Sequence, residues 1–166
     1  MKRFLSVAFL IIGLSAYAAG PKVVGSSHAM SGYDGKDMTL EVVGSPTGEG
    51  ITLNTDYDYP LLPPERDKLL SLIQTAAKKI DIAESNKTTI FYKMEIGRFS
   101  TDDAAMIIVS FQTDGYESSY ASVQILNGGR NVILMLNKKD AQDLTSNLAA
   151  ATNPRDDYQK QVELFK

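Results

Sequence analysis

The chain has 166 residues, 17 basic and 20 acidic side chains, one histidine and no cysteine, for a formal net charge of −3. A mildly acidic chain of this kind is a poor partner for nucleic acid or anionic lipid, whose affinity comes from clustered cations. Without cysteine there are no disulfides, thiolate metal sites or thiol nucleophiles, and one histidine rules out multi-histidine metal sites.

Residues 1–18, MKRFLSVAFLIIGLSAYA, have the three parts of a secretory signal peptide: Lys2 and Arg3, an apolar stretch from Phe4 to Leu14, and the small-x-small site Ala16-Tyr17-Ala18. The apolar stretch falls short of the ~20 residues a spanning helix needs. The expectation is therefore cleavage, a mature chain without a membrane span, and a periplasmic or secreted location. Small exported animal domains are usually disulfide-dense, so the cysteine-free composition points to a bacterial protein. Length fits a single domain able to bury a useful core.

Residues 19–36 mix Gly, Ser and one Pro without periodicity and read as a flexible or irregular leader. A single α+β domain is expected over residues 37–166. Met38, Leu40 and Val42 alternate with Thr39 and Glu41, as in a half-buried strand. GSPTGEG turns the chain, and ITLNT completes a hairpin. Pro63 and Pro64 then end the extended chain. Pro64 suits a first helical position, with Glu65 and Asp67 at the positive end. Leu69, Leu70, Ile73, Ala76, Ala77, Ile80 and Ala83 recur at spacings of three and four, giving a helix over about residues 64–84.

Four strands follow. The first places Ile90, Tyr92, Met94 and Ile96 on one face; the next places Ile107, Val109 and Phe111 there. An Asp114-Gly115 turn leads to Ala121, Val123 and Ile125, and Asn127-Gly128-Gly129-Arg130 leads to NVILML. These glycines lie between two strands rather than between a strand and a helix, so they predict a hairpin and not a phosphate cradle. A helix capped near Asn137 runs to about residue 152, with Ala141, Leu144, Leu148 and Ala151 along one side. Tyr158, Val162 and Phe165 mark a short amphipathic tail helix expected to dock on its own domain. The order is ββ-α-ββββ-α: an antiparallel sheet of about five to six strands with helices on one face. A partial barrel plugged by the long helix is the second arrangement considered.

Candidate chemistry is sparse. His28 sits beside Ser26 and Ser27 in the leader, where no framework is expected to hold a catalytic dyad. Asp56 with Asp58, Asp102 with Asp103, and Asp156 with Asp157 are acidic turns too short for a calcium loop. No cofactor or metal is called for. Tyr57, Tyr59, Tyr116 and Tyr120 flank turns and are the candidate contact residues, since tyrosine offers a flat, half-polar surface. The expected role is a non-catalytic exported domain that binds a protein or other macromolecule, as an inhibitor, adaptor or assembly factor. A small-ligand binder with a pocket between sheet and long helix, floored by Ala76, Ala77 and Ala83, is the alternative. A carboxylate-based hydrolase comes third.

Overall fold

The computed structural model describes residues 22–44, 50–116 and 118–151. The signal peptide and the tail stripe Tyr158-Val162-Phe165 both lie outside these residues. The elements are β1 (Lys22–Ser31), β2 (Asp37–Gly44), β3 (Ile51–Asn54), β4 (Asp58–Leu61), α1 (Pro63–Ser85), β5 (Phe91–Ser100), β6 (Met106–Asp114), β7 (Ser119–Asn127), β8 (Arg130–Leu136) and α2 (Lys138–Ala150). The strands form one antiparallel sheet in the order β4-β3-β2-β1-β8-β7-β6-β5.

The α+β class and the antiparallel pairing stand, but the sheet has 8 strands, not five to six. Two strands account for the difference. β1 lies inside the segment expected to be an irregular leader. Its inward positions, Gly25, Ser27 and Ala29, are small because α2 packs directly on them. A β-carbon on Gly25 would sit 2.1 Å from the Asn147 side-chain oxygen of α2, and Asn147 Nδ2 donates to Ser27 Oγ at 3.0 Å. Close approach of a helix selects Gly, Ser and Ala, which read as loop in the sequence. β4 is four residues long and contains Pro60. A proline is tolerated there because β4 ends the sheet and its outer side needs no ladder donor.

One face of the sheet carries the core. The ladders place Val42 beside Leu53, Leu53 beside Tyr59, Val109 beside Val123, and Val123 beside Leu134. All six are buried in a single cluster with Ile73 and Ile80 of α1 and Leu144 and Leu148 of α2. α1 lies over β5, β6 and β7, α2 lies over β1 and β2, and the two helices touch each other. Leu69, Leu72, Ile73, Ala76, Ile80 and Ala83 are the buried side of α1, at helical spacing. Glu65 fixes its start: one carboxylate oxygen accepts from the Leu62 amide and the other from Asp102 in the β5–β6 turn, both at 2.7 Å. Arg66 donates to the carbonyl of Ala151 at 2.5 Å, tying the end of α2 to the head of α1. Asn137 caps α2 by accepting from the amide of Asp140 at 3.0 Å.

The Asn127–Arg130 turn is a hairpin. Gly128 and Gly129 have φ of 55° and 86°, and a β-carbon at either would meet nothing within 4 Å. That pair of positive φ angles matches the twist of the flanking strands. No helix among the described residues is long and apolar enough to cross a membrane.

Two outcomes test this packing. Gly129→Val should cost about 1–2 kcal/mol in urea unfolding, since a branched side chain resists the left-handed backbone, while Gly128→Asn should stay within ~0.5 kcal/mol. Gly25→Ala should cost about 1 kcal/mol by displacing Asn147 from Ser27, and much less in an Asn147→Ala background. Equal costs in both backgrounds would mean that α2 does not rest on Gly25.

Candidate functional site

The chain leaves α1 at Ser85, reverses through Asn86 and Lys87, the latter with φ of 47°, and enters β5 at Phe91. Three consecutive apolar residues, Ile90, Phe91 and Tyr92, sit at this entry, and all three are exposed. Ile82 on the last turn of α1 and Tyr116 in the β6–β7 turn join them; Phe91 is 77% and Tyr116 86% exposed. Singly exposed apolar residues are normal, but Ile82, Ile90 and Tyr92 line one groove, of the kind associated with binding, while Phe91 on the other face of β5 and Tyr116 in the turn add apolar surface at the same end.

β5 is the last strand of the sheet, so one side of its backbone has no ladder partner among the described residues. Thr113 on β6 shows which groups face which way. Its hydroxyl accepts from the Tyr92 amide at 3.0 Å and donates to the Ile90 carbonyl. The Tyr92 amide therefore points inward, and strand alternation turns the amides of Phe91 and Lys93 outward. Between this edge and α1 runs an apolar groove of about 220 Å³. Ile82 and Ala83 form its helix side, and Tyr92, Met94 and Phe111 its floor. The Tyr92 and Phe111 rings meet at 6.4 Å and 53°, a tilted arrangement that fixes the floor.

Farther along β5 the register shifts between Glu95 and Gly97. Gly97 lets α1 come close there: a β-carbon would lie 2.8 Å from a Leu72 methyl of α1, which would have to move. The bulge leaves Phe91 to Glu95 as the regular, unpaired run. Glu95 is bound by Arg98 at 2.7 and 2.5 Å, which holds its carboxyl below the usual range and pushes the guanidinium up. Lys93 has no ion-pair partner among the described residues.

The opposite end of the molecule is polar. The β1–β2 turn, the β3–β4 turn and the start of β8 converge around an open hollow of about 690 Å³. Arg130 bridges two of them, with its guanidinium carbon 4.1 Å from the centre of the Tyr57 ring. Asp34 binds Lys36 at 2.7 Å, which lowers its pKa to about 2. Glu41, Asn54 and Asp56 also line the hollow.

The four candidate tyrosines do not form one surface. Tyr57 is at the hollow. Tyr59 is buried in the core, its hydroxyl has no partner among the described residues, and burial raises its pKa. Tyr120 is half-buried on β7 opposite Gln112. Tyr116 belongs to the apolar end, a strand length of ~30 Å from Arg130 along β7. Ile82, Ile90, Phe91 and Tyr92 were not among the candidates. The available signal was the run Ile90-Phe91-Tyr92, which alternation on a half-buried strand does not explain.

His28 lies on β1, not in a loop. Nε2 is 3.1 Å from Asp37 Oδ1 and Nδ1 is 3.4 Å from Asp140 Oδ2, so neither nitrogen faces a serine. No group of three or more His, Cys, Asp or Glu among the described residues is placed to hold a metal. Of the three alanines expected to floor a ligand pocket, Ala83 lines the groove, Ala76 is buried in the core, and Ala77 lies on the α2 side of α1. No protein-family model matches this chain, and neither the curated proteins nor the solved structures include one that matches it.

Proposed function

We propose that this protein is a non-catalytic binding domain that takes an extended segment of a partner protein as a ninth strand along β5. The observation that carries this reading is the run from Phe91 to Glu95, whose outer side has no ladder partner among the described residues, with exposed apolar side chains at the same end. Strand addition supplies backbone hydrogen bonds for affinity and side-chain pockets on alternate positions for specificity. An added strand would turn every second side chain into the groove lined by Ile82, Tyr92 and Met94, so those positions must be apolar. The position opposite Lys93 faces the other way, beside an ammonium group. Because Glu95 is already engaged by Arg98, an acidic residue is the complement there. The preferred segment is apolar–acidic–apolar.

The other sheet edge supports no such reading, since β4 has only four residues and one is Pro60. The groove is below the ~300–1,000 Å³ of small-molecule pockets, and the larger hollow is open, with walls about half polar where such pockets are mostly apolar. The carboxylates near His28 are held on its ring rather than opposed across a cleft. An exported location is part of the proposal and rests on the N-terminal sequence.

Selection of a phage-displayed peptide library on the full chain should enrich alternating apolar residues around Asp or Glu. A synthetic peptide of the selected sequence should slow hydrogen exchange at Phe91, Lys93 and Glu95. Lys93→Pro removes an outward donor but no ladder bond, so it should weaken the peptide at least tenfold, ~1.4 kcal/mol, with little loss of stability. Binding that survives Lys93→Pro, protection appearing at the hollow instead, or occupation of the edge by a second copy or by residues 152–166 would each refute the proposal.

A further inference from the structure

His28 joins three elements through one ring. It pairs with Thr39 on β2, and Asp37 lies two residues earlier on the same side of that strand, within reach of Nε2 at 3.1 Å. On its other flank β1 pairs with β8 only at Met30–Met135 and Ser31–Leu134. Where a further partner for β1 would come, the chain has already turned through Asn137 into α2. The first turn of α2 brings Asp140 to Nδ1 at 3.4 Å. The two carboxylates differ in setting: the side chain of Asp140 is 7% exposed and that of Asp37 87%. Asp140 has no other side-chain hydrogen bond among the described residues. Glu41, opposite Ser26, is the next carboxylate along β2, and Lys138 of α2 is directed away to Asp81 at 2.6 Å.

An imidazolium has two N–H groups and can serve both carboxylates at once. A neutral imidazole has one, so its second nitrogen turns a lone pair toward an anion. Asp140 is shut away from water and cannot exchange its partner for solvent, whereas Asp37 can.

We propose that His28 is a proton-operated clasp: protonated, it ties Asp37 at the start of β2 to Asp140 at the head of α2, and neutral, it keeps Asp140 and lets Asp37 go. The arm released is Asp37, the first residue of β2, at the turn that borders the polar hollow. The hydrogen bond to Asp140 is the largest influence and raises the ring's pKa; desolvation opposes it, and the weaker hydrogen bond to Asp37 together with the two carboxylate charges leaves the value above the ordinary 6.5. Because the folded value is the higher one, the clasp's contribution is complete below pH ~6.5 and is lost as pH rises through the folded value. The chain has one histidine, so a side-chain transition near neutrality belongs to this residue.

The clasp is tested on the full chain by following the single imidazole by NMR from pH 5 to 9. Its midpoint should lie above 6.5. Asp140→Asn should lower the midpoint most and Asp37→Asn less. Hydrogen exchange, corrected for the intrinsic effect of pH, should show the β1–β2 turn amides of Ser31 and Gly35 losing protection at least threefold across that midpoint, while amides in β6 and β7 hold theirs. His28→Gln and Asp37→Asn should both abolish the step; the second keeps the ring and serves if the first fails to fold. A midpoint at or below 6.5, unchanged hairpin protection, or an equal loss across the whole sheet would overturn the clasp.

Discussion

The fold depends on a narrow join. β4 to β1 and β8 to β5 form two four-stranded ladders, and only two residue pairs, Met30–Met135 and Ser31–Leu134, connect β1 to β8. Two ladder pairs cannot hold such units against chain entropy. The helices do it: α2 rests on β1 and β2, α1 on β5, β6 and β7, and the helices pack on each other. α2 must therefore come very close to β1, and every β1 side chain beneath it must be small. Gly25, Ser27 and Ala29 meet that demand. Ser27 and Asn147 satisfy each other there, so no polar atom of the contact is stranded.

Much of this was legible in the sequence. Ile73 and Ile80 on one side of α1, Val109 and Ile125 on one face of neighbouring strands, and the turn at Asn127-Gly128-Gly129-Arg130 all follow from side-chain periodicity or turn chemistry, because burial on a single face leaves a strict pattern. β1 was not legible, because its composition answers to α2, more than a hundred residues away. β4 was not, because Pro60 argues against a strand everywhere except at an edge. Alternation alone also assigned Tyr92 and Met94 to a buried face. It could not show that β5 is the terminal strand, which leaves that face covered by α1 only in part.

The tyrosines show why residue type is a weak guide to a site. The four chosen for their closeness to turns ended in a hollow rim, the core, a half-buried strand and an exposed turn. Proximity to a turn says how easily a side chain can reach solvent. It does not say which other side chains reach the same patch, and that depends on strand order. The pairing of β5 with β6, and the absence of a partner on its other side among the described residues, leave Ile82, Ile90, Phe91, Tyr92 and Tyr116 exposed at one end.

That end is hard to account for as an ordinary surface. Burying apolar area is worth roughly 25 cal/mol per Å², so an aromatic ring left in water forgoes a kilocalorie or more. The chain has devices for closing an edge and uses them elsewhere: shortness and Pro60 on β4, and the bulge at Glu95–Gly97 on the far half of β5. The near half carries one lysine and otherwise presents Ile90, Phe91 and Tyr92. A single cation repels a cationic strand and is costly to desolvate beneath an apolar one, but accepts a strand carrying a carboxylate at the right position. In the proposed strand addition, the residue that guards the edge against indiscriminate pairing is also the one that selects the strand.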